Sequence, residues 1–390
     1  MKKTSILLLL LLCLMIASDH SIAQTFEVGH TSINFYDSER DREVPTEIYY
    51  PTETEGEDVP VANGEHPVVI FGHGFLMSWD AYDNFWTALV PQGYILCFPT
   101  TEMSLLPNHE AFALDFSFIK EQMQIENGET SSLFLNAVAP ETVFMGHSMG
   151  GGASCLAAAN EADLTGLVNF AAAETNPSAI SASQMITAPT LMYSGGDDCV
   201  TPPEDHQDPI YENLGTECKT IIEIIDGGHC YFANESFTCN LGEATCNFNL
   251  NITAEVQQAI AFTYLNLWLE YAVQGDEASF DTFNTALSED NDILFMQSCD
   301  SNHIPVESEG LDLVVFPNPT ESILQVNTTG TLTNTSKRYV IMNSQGQVVQ
   351  EGSLTSNQLT LNLSHLPDGA YCIKTAQGNF ASAARFIKIH

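Results

Sequence analysis

Apolar and polar positions alternate through residues 27–36 and 43–50, which predicts two half-buried strands paired antiparallel at a sheet edge. Downstream the pattern changes. Short unbroken apolar runs recur at residues 66–72, 94–99, 141–146, 167–172, 190–194 and 219–225, as expected of strands buried on both faces. Between and after them, residues 80–92 and 108–124 have helical spacing. Residues 148–159 form a small-residue helix, and 254–273 a long amphipathic helix carrying Trp268. Strands alternating with helices predict an α/β fold, a mostly parallel sheet flanked by helices. Beyond residue 308 the pattern is different. Short strands are separated by turn sequences such as NSQG at 343–346 and PDG at 367–369, which predicts a small all-β sandwich. The expected organisation is a leader at 1–23, an α/β unit at 24–308 and the sandwich at 309–390.

The leader reads as a signal peptide. Lys2 and Lys3 precede an apolar run at residues 6–16, and Ser21-Ile22-Ala23 supplies the small residues of a cleavage site. The run is too short to span a bilayer, so no stable membrane insertion is expected. Net charge is −39, and Lys120 and Lys219 are the only basic residues between 43 and 336. Phosphate backbones need clustered Lys and Arg, so nucleic acid is not an expected partner. The acidic residues read as a hydrated surface. The run Ser288-Glu289-Asp290-Asn291-Asp292 lacks the spacing of a calcium loop. An exported chain meets oxidising conditions, and Cys199, Cys218, Cys230, Cys239, Cys246 and Cys299 cluster in sequence. Disulfides are therefore expected, Cys199 with Cys218 first among the pairings. No CxxC pair argues for zinc. Cys97 and Cys155 read as buried small hydrophobes, and Cys372 as a lone thiol.

The chemistry centres on VFMGHSMGGG at 143–152. A serine flanked by glycines, with a strand leading in and a helix leading out, is the nucleophile elbow of an α/β-hydrolase. Ser148 needs a base, and His229 follows the last apolar strand, in DGGHC at 226–230. His206, His303, His365 and His390 are less well placed, and His147 reads as packing beneath the elbow. The orienting acid should follow the preceding strand, in GGDDCVTP at 195–202. Asp198 is favoured by its spacing to Pro202, with Asp197 and Glu174 as alternatives. Two backbone donors should face the oxyanion: Met149 N–H, directly after the nucleophile, and Phe75 N–H, in the loop GHGFL at 72–76. Phe75, Trp79 and Met149 are candidate walls of the acyl site, with simple core packing as the equal alternative for Trp79. No cofactor or metal is called for. Too few residues separate the strands at 167–172 and 190–194 to hold a cap domain, so the site should be open and suit bulky substrates.

Residues 27–273 resemble the α/β-hydrolase superfamily, near dienelactone hydrolases, platelet-activating-factor acetylhydrolases and bacterial cutinases and polyesterases. HGF at 73–75 is also similar to chlorophyllases. GHSMGGG at 146–152 and PTLMYSGGDDCVTP at 189–202 carry the cutinase likeness, and the second again selects Asp198. The resemblance implies a serine esterase that hydrolyses carboxylic esters through an acyl-enzyme, with lipase, cutinase or polyesterase action on long-chain or polymeric esters as the neighbouring activity. Where polyester hydrolases of this type carry a tryptophan after the strand that follows the elbow helix, this chain has AETNP at 173–177. A non-catalytic secreted binding protein is the reading from another class. VVFPNPT at 314–320, NSQGQVV at 343–349, LPDGAY at 366–371 and the basic RFIK at 385–388 resemble the type IX secretion sorting domain of Bacteroidetes. That resemblance implies export across the outer membrane, with the type IX machinery as partner.

Overall fold

A computed structural model describes residues 25–234, 236–246, 250–299, 312–329, 337–343, 348–354, 356, 358–377 and 380–389. The expected leader, the boundary near Ser308, His303 and His390 lie outside the described residues, as does the side chain of Cys372.

The α/β unit begins with β1 (Glu27–Asp37), β2 (Arg42–Thr52) and the short β3 (Gly56–Glu57). β1 and β2 pair antiparallel along their whole length, from Glu27 opposite Thr52 to Asp37 opposite Arg42. There follow β4 (His66–Gly72), α1 (Asp83–Leu89), β5 (Ile95–Pro99), α2 (His109–Gly128), β6 (Val138–His147), α3 (Met149–Ala158) and β7 (Gly166–Phe170). The unit continues through α4 (Ala179–Ala182), β8 (Thr190–Gly195), α5 (Gln207–Asn213), β9 (Cys218–Ile224), α6 (Phe237–Ala244), α7 (Ala254–Gln274), α8 (Glu277–Glu289) and β10 (Ile293–Cys299). The strands form one sheet in the order β10-β9-β8-β7-β6-β4-β5-β2-β1-β3. β4 to β9 are mutually parallel, while β10 and β2 close the parallel block antiparallel on either side. Sequence reading missed α8 and β10, although α8 buries Phe280, Phe283 and Leu287 at helical spacing and β10 opens on four apolar residues.

Each face of the sheet buries its own core. On one, Phe112, Phe116 and Ile119 of α2 and Ala153 and Leu156 of α3 pack on Ile70, Phe144 and Leu167. On the other, Phe85 of α1, Leu265 and Trp268 of α7 and Phe283 of α8 pack on Phe71, Val168 and Tyr193. Trp268 is fully buried, and Gly166 makes room for it, since a Cβ there would lie 2.7 Å from the indole. The two lone cations serve the fold. Lys120 Nζ lies 2.7 Å from Glu161, and Lys219 Nζ donates to the carbonyls of Tyr211 (2.9 Å) and Leu214 (3.2 Å) at the end of α5. Within the run 288–292, Asp290 accepts from Tyr264 Oη (2.8 Å) and from Asp292 N–H (2.8 Å), which ends α8.

The disulfides correct one expectation. Cys199 pairs with Cys246, Cys218 with Cys299 and Cys230 with Cys239. Cys199 follows the C-terminal end of β8, whereas Cys218 opens β9. Because β8 and β9 are parallel, the two lie at opposite edges of the sheet, about 20 Å apart at the usual rise per residue. Cys218 instead meets its register partner Cys299 on β10. Cys97 and Cys155 are buried and unpaired, as expected.

The C-terminal segment has two antiparallel sheets. One contains β11 (Asp312–Phe316), β12 (Ile323–Thr329) and, after β13 (Lys337–Asn343) and β14 (Val348–Leu354), also β15 (Gln358–Asn362). The other orders β14-β13-β16-β17, with β16 at Gly369–Gln377 and β17 at Phe380–Lys388. Leu324, Val326 and Leu361 of the first sheet pack with Ile341, Ile373 and Phe386 of the second in one core, as in a sandwich. No helix among the described residues is long and apolar enough to cross a membrane.

The fold account predicts that Trp268→Ala lowers unfolding stability by about 3–5 kcal/mol, the usual cost of deleting a buried tryptophan. Urea denaturation of both proteins measures it. A loss below about 1 kcal/mol would show that α7 is not packed as described.

Candidate active site

The loops that hold the candidate residues leave the C-terminal ends of parallel strands, the edge where open α/β sheets place their sites. β4 leads to residues 73–78, β6 to Ser148, β8 to Asp198 and β9 to His229.

Ser148 joins β6 to α3 at φ 55° and ψ −121°. Such a backbone costs a non-glycine residue about 1–3 kcal/mol and must be held by its surroundings. Its N–H donates to Phe170 O (3.0 Å), and its carbonyl accepts from Gly152 N–H (3.1 Å) and Ala173 N–H (2.9 Å). The turn closes because glycines let backbones touch. A Cβ on Gly146 would lie 2.3 Å from Gly150 O, and one on Gly150 would lie 2.1 Å from Gly72 O. A serine before a helix normally accepts a hydrogen bond from the first turn. Ser148 makes no such bond. Its hydroxyl therefore stands apart from the helix, and the N–H of Met149, the first residue of α3, has no partner within the helix. The Met149 side chain is buried in the α2–α3 core.

Asp198 and His229 are both buried, and Asp198 Oδ2 lies 2.7 Å from His229 Nδ1. A carboxylate only accepts, so Nδ1 carries the proton and Nε2 the lone pair. Asp198 is itself fixed. Its Oδ1 accepts from Val200 N–H and Thr201 N–H, each at 2.8 Å, and its Oδ2 from Thr201 Oγ1 at 2.9 Å. The other acid candidates are held elsewhere. Asp197 N–H donates to Gly227 O (2.8 Å), and burial, with Asp226 and Glu223 nearby, pushes its carboxyl pKa up. Glu174 Oε2 accepts from Ile180 N–H (2.9 Å) in the first turn of α4. His206 Nδ1 accepts from Glu174 N–H (2.8 Å), and His365 is exposed in the C-terminal segment.

The loop after β4 is held from below. Gly74 N–H donates to Tyr82 Oη (2.8 Å), which leaves the next amide, that of Phe75, as the one beyond this bond. His73 is buried between the carbonyls of Gly74 (2.9 Å) and Thr101 (2.8 Å), and burial lowers its pKa. Thr101 Oγ1 in turn donates to the buried Asp115 (2.6 Å), which Arg42 binds through Nε (2.9 Å) and Nη2 (2.7 Å). Trp79 is not drawn into the Ser148 group by any described contact. Its indole Nε1 donates to Tyr49 Oη of β2 (3.2 Å), and it packs on the α7-side core.

His147 joins the parts. Its Nε2 donates to His229 O (3.0 Å), so Nδ1 accepts from Tyr82 Oη (2.9 Å). One neutral imidazole thus braces the loop after β4 against the loop after β9. Burial, and the neighbouring His229, drive its pKa well below the ordinary value. Among the described residues no three His, Cys, Asp or Glu side chains converge to hold a metal ion.

Two comparisons bear on this arrangement. The family described as PET hydrolase-like matches residues 40–247, and the secretion system C-terminal sorting domain matches residues 314–389. The chain belongs to the PET hydrolase-like family. No curated protein is a significant match. The sorting domain marks this PET hydrolase-like protein as secreted by the type IX route, and the family makes it an ester hydrolase.

Sequence reading of this hydrolase missed Thr201 and the bracing role of His147. Thr201 Oγ1 is 3.0 Å from His229 Nδ1 and 3.2 Å from Ala171 O, and it accepts from Gln207 Nε2 (3.2 Å). Its one signal was its place three residues after Asp198.

His147 generates a pH prediction. The unfolded chain protonates this histidine near pH 6.5, while the folded chain keeps it neutral. The unfolded state then binds more protons, so His147 stabilises the fold above that pH, and its contribution is lost as pH falls. Between pH 6 and 5, the wild-type advantage over His147→Gln should shrink by up to about 1.4 kcal/mol per pH unit in urea denaturation. A constant difference across that range would contradict a neutral His147.

Proposed function

We propose that this secreted PET hydrolase-like protein is a serine carboxylic ester hydrolase that works through an acyl-enzyme on Ser148. The observation that supports this most is the 2.7 Å contact of Asp198 with His229 Nδ1, beside a serine whose hydroxyl does not cap its helix. Among the described residues Ser148 Oγ has no hydrogen-bond partner, and the resting geometry of such sites is often loose before substrate arrives. In the proposed cycle His229 Nε2 takes the serine proton as Oγ attacks the ester carbonyl. The Phe75 and Met149 amides hold the oxyanion, aided by the start of α3. The tetrahedral species collapses as His229 returns the proton to the leaving alcohol. Water, deprotonated by the same histidine, then releases the acid and frees Ser148. Asp198 holds the tautomer and stabilises the imidazolium.

A second reading, polymeric or long-chain esters, is favoured by exposed apolar side chains on the site loops. Phe75 is 44 % exposed, and Phe237 and Leu241 on α6 are 82 % and 58 % exposed. Thr238 Oγ1 donates to Leu76 O (2.9 Å), which sets this face of α6 beside the loop of Phe75. An apolar acyl or aryl group would gain about 25 cal/mol per Å² of surface it covers there. We assign catalysis to residues 24–308 and export to residues 309–390, with no part for the latter in turnover.

Hydrolysis of p-nitrophenyl esters from acetate to palmitate tests the proposal. Ser148→Ala should lose at least about a thousandfold in kcat, and Asp198→Asn at least about a hundredfold. Turnover that reaches the long chains supports the second reading, and turnover confined to short chains opposes it. Activity that survives in Ser148→Ala would refute the serine mechanism.

A further inference from the structure

Helix α6 is tied to three of the four loops of the proposed site, those after β4, β8 and β9. Cys239 within it is bonded to Cys230, the residue after His229. Cys246, just past its end, is bonded to Cys199, the residue after Asp198. Thr238 Oγ1 donates to Leu76 O, the residue after Phe75. A helix of eight residues is thus fastened one residue beyond the acid, the base and the candidate oxyanion donor.

Glu243 completes this arrangement. Its Oε1 accepts from His229 N–H at 2.7 Å and from Cys230 N–H at 3.3 Å. The carboxylate comes that close only because residue 228 is glycine. A Cβ on Gly228 would lie 2.5 Å from Glu243 Oε1. Gly228 is held from its other side, since its N–H donates to Gln257 Oε1 (2.9 Å) and its carbonyl accepts from Gln257 Nε2 (2.8 Å). The base loop is therefore gripped between α7 and α6. A charged acceptor on two consecutive amides is among the stronger kinds of hydrogen bond. It fixes the main chain from which the His229 imidazole swings. Burial raises the Glu243 pKa although those amides and His229 favour its charge, so the carboxylate stays partly desolvated beside the base.

We infer that Glu243 is a positioning residue for His229, and that α6 with its two disulfides is the clamp that holds acid and base in register for the reaction proposed above. Catalytic groups displaced by a fraction of an ångström lose rate without losing substrate affinity. The clamp should therefore act on kcat and leave KM almost alone. Glu243 lies outside the cores of the two sheet faces, whereas Cys230 and Cys239 are buried at the border of the α7-side core, so the disulfide variants are judged by turnover per reactive site rather than by yield.

The test uses the full secreted chain and p-nitrophenyl acetate, with the fraction of reactive serine counted by titration with a fluorophosphonate. Turnover is then expressed per titrated site, which removes any share of misfolded protein. Glu243→Ala should lower kcat about tenfold or more with KM changed less than about twofold. Glu243→Gln keeps an acceptor oxygen and should recover most of that loss. The paired variant Cys230→Ser with Cys239→Ser should also lower kcat, whereas Cys218→Ser with Cys299→Ser, at the far end of β9, should not. Unchanged turnover per site in Glu243→Ala, or equal loss in Ala and Gln variants, would overturn the inference. So would equal effects of the two disulfide pairs, the outcome that keeps the test decisive if Glu243→Ala does not fold. Wild-type protein that neither titrates nor turns over would overturn the serine mechanism itself. An active wild type with indifferent Glu243 variants would overturn only the clamp.

Discussion

The turn at Ser148 is the constraint on which the rest of the site depends. A chain that leaves β6 and enters α3 within one residue must place that residue at φ 55°. The backbone is then strained, and it stays so only because contacts on three sides over-determine it. Phe170 of β7 accepts its N–H, Ala173 and Gly152 donate to its carbonyl, and the Gly150 backbone lies against Gly72 at the end of β4. β4 and β7, the two neighbours of β6 in the sheet, are thereby fixed relative to the serine. The loops that follow β4 and β7 inherit that position, and with it the places from which an oxyanion donor and a substrate rim would act.

A second brace crosses the first. His147, one residue before the turn, lies buried between Tyr82 and His229 O, and it must be neutral to accept from one and donate to the other. The strand that delivers the nucleophile thus also sets the height of the base loop. Burial alone would leave this imidazole an expensive polar group in the core; both nitrogens are satisfied instead. The acid arrives by a third route, its carboxylate wrapped by the amides of Val200 and Thr201 before it reaches His229. Of the three tethers, only the last is local in sequence.

That division explains what was legible in the chain. The inner strands were plain because a strand buried on both faces must be continuously apolar. The elbow was plain because its glycines are needed for backbone contact. Asp198 could be preferred over Asp197 because its turn is written within a few residues. The edge strand β10 and the helix α8 before it were not seen, although Phe280, Phe283 and Leu287 of α8 fall at helical spacing on the α7-side core. The disulfide expectation also failed. Cys199 and Cys218 are close in sequence, yet parallel strands carry them to opposite edges of the sheet, and only the register of β9 with β10 brings Cys218 to Cys299. His147 and Glu243 act through contacts with distant segments, and nothing in their local sequence announces those partners; Thr201 bonds the nearby Asp198, but its approach to His229 Nδ1 crosses to a distant loop. Trp79 illustrates the converse. Its place just after the loop of Phe75 suggested either a substrate wall or simple core packing, and its indole is bonded to Tyr49 on the antiparallel edge.

The central claim is that the strained serine is a nucleophile served by His229 and Asp198. Its most direct measurement is peptide-resolved mass spectrometry after exposure of the secreted protein to a fluorophosphonate, beside the same protein carrying His229→Ala. The account predicts one adduct, on the peptide containing Ser148, formed rapidly in the wild type and slowed by orders of magnitude without the histidine. An intact protein that gains no adduct, an adduct on another serine, or labelling indifferent to His229 would contradict it.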